Sequence, residues 1–492
     1  MTDHRSPAQS SAQSSAQVPA QDRRAAEPPT APAAGSAANR PAPAAPPDPM
    51  ALLRTRGYVV ILVMAAVLGV PIAALSYGFL QLTTHLQGWL FTDLPTGLGF
   101  DGEPSWWPVP VLMVGGLLVA LTIRYLPGNG GESPADGLHA GGGAPAATAL
   151  PGILLAAVVT LGCGAVLGPE APLIALGAGV AAWTVRLVRR DAPAQAVALI
   201  GAAGSFAAIA TLFGSPLLGA FLLLEIAGVG GAMTSLTLVP GLLAAGIGSL
   251  IFVGLDSLTG LGPTSLSIPG LPSVGSPTLA EFGWALVIGA VAAPLGTGIR
   301  WLGLTLRPLV ERRSLLATPA VGLVVALLAI GYAEATGKQS SEVLFSGQSA
   351  LGPLLAHSAN YSAGALVLLL LCKGIGYGVS MSGFRGGPVF PAMFLGATGG
   401  LALSHLAGLQ PITGAATGIG ALSVALLGLP LVSVLLATVL LASDGLQTMP
   451  LVIVAVVVSY VVRAWCLPWL SRAGKPPAAA VPPSETAAAG TG

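Results

Sequence analysis

Val166-Leu167-Gly168-Pro169-Glu170-Ala171-Pro172-Leu173-Ile174-Ala175-Leu176-Gly177 sets one carboxylate in the middle of apolar sequence. No other Asp, Glu, Lys or Arg occurs between Asp136 and Arg186. A lone acid at such depth is costly and marks a functional site by default. The competing explanation is a helix-start carboxylate at an exposed turn, where the helix dipole favours negative charge. Pro172 stands where a first helical turn begins.

The surrounding composition fixes the class. Of 492 residues, 53% are hydrophobic and 8% charged, against about a quarter charged in soluble domains. The chain is therefore expected to cross a membrane many times, as an all-α protein in a lipid bilayer. A net charge of +1 gives no footing for nucleic acid. Cys163, Cys372 and Cys466 sit in apolar sequence with neither metal-ligand spacing nor a disulfide framework. The histidines do not cluster, so no metal site and no cofactor are expected. Residues 1–50 are rich in Ala, Pro, Ser and Gln and are expected to be disordered. The basic residues Arg23, Arg24, Arg40, Arg54 and Arg56 precede the first span and predict a cytoplasmic N-terminus in the cell membrane. The Pro/Ala-rich tail 472–492 is also expected to be disordered, with no soluble regulatory domain.

Several apolar segments, such as Ala363 to Leu371, fall short of the roughly 20 residues that span a bilayer. Gly and Pro interrupt them. Broken helices at membrane depth are tolerated where their ends face protein or a wet cavity. The interruptions also repeat. Pro172 precedes Gly177 by five residues, and Pro391 precedes Gly396 by five. About forty residues further on, Gly214-Ser215-Pro216 answers Gly428-Leu429-Pro430. Two related halves, expected over 51–310 and 311–471, would each carry two helix N-termini into the apolar zone. Such termini are anion sites in waiting.

On these stretches the chain resembles the CLC chloride channel and transporter family. Gly168-Pro169-Glu170-Ala171-Pro172 with Gly177 is similar to the family's Gly-Arg/Lys-Glu-Gly-Pro motif. Gly387-Pro388-Val389-Phe390-Pro391 resembles Gly-x-Phe-x-Pro. Phe213-Gly214-Ser215-Pro216-Leu217-Leu218-Gly219 resembles Phe-Asn-Ala-Pro-Leu-Ala-Gly. Arg124-Tyr125-Leu126-Pro127 leading to Gly130-Gly131 and Pro134 resembles the approach to Gly-Ser-Gly-Ile-Pro. The resemblance implies a CLC-like fold of two inverted helical repeats with many short, broken or tilted helices. It also implies a homodimer with one pathway per subunit for chloride or another small anion, with or without protons. It makes Glu170 the gating carboxylate and Gly168, Ala171, Gly131, Ser133, Gly387, Val389 and Phe390 the candidate anion-binding positions.

The departures are specific. Aligned on Pro134, Gly131 takes the family's serine position without a hydroxyl, Ser133 stands two residues on, and Glu132 lies between them. Pro388 has no N–H to offer, and Phe390 is displaced by one. Ten residues past Pro216, where proton-coupled relatives often carry a glutamate, stands Ile226. Glu225 is its neighbour, either a structural partner or a candidate for a proton path. Near Cys466-Leu467-Pro468-Trp469-Leu470 no tyrosine has the family's spacing. Lys373 is expected to reach the interface, and Arg385 either attracts anions or marks a membrane boundary. Two alternatives remain: a fluoride-selective relative, and an unrelated secondary transporter with inverted repeats. A catalytic function is not expected, since neither Gly-x-Ser-x-Gly nor His-Glu-x-x-His occurs.

Overall fold

The computed structural model describes residues 54–138, 143–228, 232–259, 268, 274–441 and 445–472. The expected disorder of 1–50 and of the tail beyond Arg472 lies outside the described residues. The described chain is nearly all helix. It begins with α1 (Arg56–Gly97), 42 residues long with a π-helical turn at Trp89–Asp93. There follow α2 (Pro108–Tyr125), α3 (Leu150–Gly162), α4 (Glu170–Val188), α5 (Ala194–Phe213), α6 (Pro216–Ala227) and α7 (Ala232–Thr259). The second series is α8 (Leu279–Arg312), α9 (Ser314–Thr336), the short α10 (Gln348–Ala356), α11 (Ala363–Gly383), α12 (Val389–Leu403), α13 (Pro411–Leu427), α14 (Pro430–Leu440) and α15 (Gly445–Arg472).

Among the described residues, nine helices are long and apolar enough to cross a membrane, and α3, α6, α12, α13 and α14 are shorter apolar helices. The protein is a multi-pass membrane protein built on two helical repeats. The same order occurs twice, α1 to α7 answering α8, α9 and α11 to α15: a long helix, two helices, a crossing pair, a short helix and a closing span, with α3 shorter than its counterpart α11 and with α10 inserted into the second series.

Glycine decides how the broken pairs pack. Helices α4 and α5 cross where Gly177 meets Gly204, and a Cβ on either would strike the other's backbone. Helices α12 and α13 cross in the same way at Gly396 and Gly418. Small residues let helix backbones approach closely, which is the main source of packing energy between helices in lipid. The glycine five residues after each proline is thus the contact point of each broken pair.

One expectation is corrected by the fold. The segment Ala363 to Leu371 continues through Cys372 and Lys373 to Gly383 as a full 21-residue helix. Lys373 ends the apolar run in the sequence but not the helix in the structure, because its charge is satisfied inside the protein.

Candidate functional site

The turns that precede α4 and α12 meet each other. Gly168 N donates to Gly387 O at 2.7 Å and Gly387 N donates to Gly168 O at 2.6 Å, an isolated antiparallel bridge between the two halves. The bridge holds the N-termini of α4 and α12 side by side. Pro169 and Pro388 are the N-caps of these helices, and neither ring blocks the helix that follows.

Glu170 opens α4 and is fully buried. This excludes an exposed helix-start acid. Its Oε1 accepts a hydrogen bond from Phe390 N, on the first turn of α12, at 2.8 Å. Its Oε2 is buried without a partner. The carboxylate lies over Gly168 and Gly387, where an added Cβ would collide with it. Val389 and Phe390 are buried. The Phe390 ring stacks at a tilt on Phe213, centroids 5.7 Å apart, so the end of α5 also packs on this site.

A cavity of about 510 Å³ reaches this region. It is lined by the 128–134 turn, by Ala171 and Pro172 of α4, by parts of α5 and α6, and by Arg385, Gly386 and Pro388. Gly131 is in the left-handed region (φ 92°) and its amide is used on Gly128 O at 2.8 Å. Ser133 is 6% exposed, lines the cavity, and its Oγ has no partner. Glu132 is exposed. A second opening of about 670 Å³ shares this turn and adds Asp136, Arg300, Arg307 and Glu311. There Arg307 Nη1 bonds both oxygens of Asp136 at 2.6 and 2.7 Å while its Nε bonds Glu311 at 2.6 Å. Arg300 donates to the carbonyls of Ala135 and Asp136 at 3.2 and 2.8 Å. These bonds fix the turn that carries Ser133.

Other sequence-selected residues lie apart from this cluster. Glu225 on α6 accepts from Leu431 N at 3.0 Å and from Val432 N at 2.8 Å, and so caps α14 from the other half. Ile226 is half-buried beside it. Lys373 does not reach an interface. It is fully buried, and its Nζ donates to the carbonyls of Glu342, Val343, Leu344 and Phe345 at 2.8–3.3 Å and lies 4.5 Å from the centre of the Phe394 ring. The Glu342 carboxylate accepts from Tyr332 and Tyr361 at 2.6 and 2.8 Å. Burial, and then that bond, push the Tyr361 hydroxyl above the usual phenol range.

Sequence reasoning missed Tyr377. It is fully buried on α11, and its hydroxyl approaches Pro388 O at 3.5 Å, next to the Glu170 site. A lone tyrosine in a glycine-rich helix, 11 residues before Pro388, was the available signal.

Comparison with known proteins adds to this geometry. A family model described as voltage gated chloride channel matches residues 111–464. A relative from Salmonella newport (strain SL254), named "Putative ion-transport protein YfeO", is 30% identical over 431 residues, covering 86% of this chain and 97% of the relative. A crystal structure of a slow cyanobacterial Cl-/H+ antiporter superposes with a TM-score of 0.66 at 21% identity, over 84% of this chain and 97% of that one. A CLC-type fluoride/proton antiporter superposes with a TM-score of 0.61 at 20% identity, over 84% and 98%. These likenesses show the same fold over 84% of the chain. The two bridged glycine turns, the order of the helices and the family match agree: the chain belongs to the voltage-gated chloride channel (CLC) family.

Proposed function

We propose that this protein carries small anions, chloride first among them, across the cell membrane, and that Glu170 gates the pathway. The observation that carries this reading is the seat of the Glu170 carboxylate. A buried anion held by the Phe390 amide at two adjoining helix N-termini occupies the place a transported anion would take. Protonation removes the charge and with it most of the attraction to those N–H groups. The neutral side chain then leaves and an anion enters. Gly168, Ala171, Gly387, Val389 and Phe390 supply the small residues and backbone around that seat. Ser133 takes over the hydroxyl role that Gly131 lacks, since its Oγ is buried without a hydrogen-bond partner while the Gly131 amide is already used.

Conduction without proton coupling is favoured over exchange. Ile226 cannot relay a proton, and both oxygens of Glu225 are engaged by α14 amides. Support for a homodimer and for a cytoplasmic N-terminus comes from family membership and from the basic residues before α1. No catalytic role is proposed.

The test is chloride efflux and proton uptake from liposomes with the purified protein and with Glu170→Ala. Chloride efflux without proton movement, lost or made ungated in the variant, supports the reading. Uphill proton uptake driven by chloride makes the protein an exchanger and returns Glu225 to the proton path. Fluoride flux far above chloride flux selects the fluoride-selective alternative. Absence of anion flux in both proteins refutes the reading.

A further inference from the structure

The fully buried Lys373 of α11 holds the turn between α9 and α10. Its Nζ reaches four successive carbonyl oxygens, those of Glu342, Val343, Leu344 and Phe345, and the Phe394 ring closes the site at 4.5 Å. A lysine taken out of water is costly unless such partners surround it. Wrapping four consecutive carbonyls around one nitrogen dictates the path of the turn. That path is strained. Phe345 lies in the left-handed region at φ 58°, which a bulky residue keeps only where its surroundings over-determine it, and such residues cluster at functional sites.

The turn packs on both sides of the Glu170 seat. On one side Phe345 N donates to Gly164 O at 3.0 Å, and a Cβ added at Gly164 would meet Leu344 and Phe345 at 3.6 Å. Gly164 opens the stretch through Ala165, Val166 and Leu167, all fully buried, that leads to Gly168, Pro169 and Glu170. On the other side a Cβ added at Gly347 would strike the Phe394 ring at 2.7 Å. Phe394 stands one helical turn along α12 from Phe390, whose amide holds Glu170. Helix α11 ties the first stretch again, since Ser380 Oγ accepts from Val166 N at 3.3 Å. The Glu342 carboxylate, a charge that acts on Lys373, is itself pinned by the hydroxyls of Tyr332 and Tyr361 at 2.6 and 2.8 Å.

We propose that Lys373 is a positioning residue for the Glu170 gate: by holding the 342–347 turn between the stretch that leads to Glu170 and the first turns of α12, it sets how the carboxylate meets the Phe390 amide. It acts through the turn and not on the anion. The inference rests on the gating reading of Glu170 given above. An apolar side chain at 373 leaves the four carbonyls without their donor, and the strained Phe345 turn relaxes. The 164–170 stretch and α12 are then no longer wedged in register. The Phe390 amide holds the ionised carboxylate less well, so the gate gives way at a higher pH and the pH of half-maximal flux rises. Tyr377 of α11 is a titratable group that bears on Glu170, and Arg300 of α8 is a charge that bears on Tyr377; both keep their identity in the variants used below.

The experiment uses the full chain, in detergent for amide hydrogen exchange read by mass spectrometry and in liposomes for chloride efflux over a range of pH. Wild type, Lys373→Met, Lys373→Gln, Glu170→Ala and Lys373→Met in Glu170→Ala are compared. Lys373→Met is expected to speed exchange in the 164–170 and 389–391 segments by about tenfold or more and to leave α7 unchanged. The pH of half-maximal flux is expected to rise by about one unit, a tenfold lower proton concentration. Lys373→Gln, which keeps a shorter neutral donor, is expected to move both in the same direction by about threefold. In Glu170→Ala the Lys373→Met change is expected to alter flux by less than about twofold, since no carboxylate is left to position. Exchange unchanged at both segments in Lys373→Met overturns the proposal. Faster exchange with an unmoved pH of half-maximal flux, or an equal loss of flux with and without Glu170, makes Lys373 a structural residue only and overturns it too. Should Lys373→Met fail to purify as a folded protein, unchanged exchange and an unchanged pH profile in Lys373→Gln overturn it in its place. Faster exchange at both segments with no anion flux in wild type or Glu170→Ala keeps the link from Lys373 to the Glu170 seat and rejects the transport reading.

Discussion

At the scale of single residues, three charges at membrane depth are stabilised in three ways. Glu170 is held by a helix N-terminus, Arg385 faces a cavity, and Lys373 is closed inside carbonyl oxygens. The Lys373 cage resembles the way carbonyl rings replace the water around a bound cation. Lys373→Met leaves those carbonyls without a donor, and we expect a loss of about 3 kcal/mol, seen as a thermal midpoint several degrees lower in detergent. Ammonium added to Lys373→Ala is expected to restore part of that midpoint, while sodium at equal ionic strength is not. Equal effects of the two salts would count against a specific cage. Glu132 is exposed at the opening, and on the anion-transport reading proposed above its charge would repel an arriving anion. Glu132→Gln is expected to raise chloride flux by about twofold at low salt, with the gain fading at high salt as screening shortens the range of its charge. Flux unchanged at low salt would remove Glu132 from the pathway.

At the scale of elements, the two broken pairs are set by backbone contact. Because α12 and α13 touch at Gly396 and Gly418, a side chain at Gly418 must separate the helices. Gly418→Val is expected to displace the α12 N-terminus and its Phe390 amide. Loss of most anion flux together with a lower thermal midpoint is the expected result, and a wild-type midpoint would show that the crossing tolerates a Cβ. Glu225 ties α6 to α14 by two charge-assisted bonds. Glu225→Gln keeps one acceptor and is expected to cost about 2 kcal/mol, with the chloride-to-proton ratio unchanged. A changed ratio at a wild-type midpoint would identify Glu225 as a proton carrier instead.

At the scale of the molecule, α8 occupies in the second series the place α1 holds in the first. We therefore propose that the repeat boundary falls ahead of Leu279, not near residue 310. Arg54 precedes α1 and Arg56 opens it, Arg124 lies in the last turn of α2, Arg312 ends α8, and Arg313 stands between α8 and α9. An outward α1 and a returning α2 bring Arg54, Arg56 and Arg124 to one membrane face, and α9 packs antiparallel on α2, Thr318 at Gly116 and Gly322 at Leu112, which brings Arg312 and Arg313 to the same face; we propose from the positive-inside rule that this face is cytoplasmic. The native cysteines are all buried. Arg313→Cys is thus expected to react with a membrane-impermeant maleimide in inside-out vesicles and not in intact cells. The reverse pattern would invert the topology.

Composition and periodicity by themselves determined that this chain is a multi-pass helical membrane protein, because 8% charged residues cannot clothe a soluble surface. The proline–glycine spacing determined the two broken helix pairs, since proline starts a helix and glycine allows the crossing that follows. It also singled out Glu170 as an acid that sequence context alone made costly. Sequence could not say what lies opposite a residue far along the chain. The Gly168–Gly387 bridge, the Phe390 amide on Glu170, and Glu225 on α14 each join positions more than 200 residues apart. For the same reason Lys373 looked like the end of a span, and Arg385 like a boundary. Only the tertiary structure supplied the carbonyls that bury the first and the cavity that faces the second.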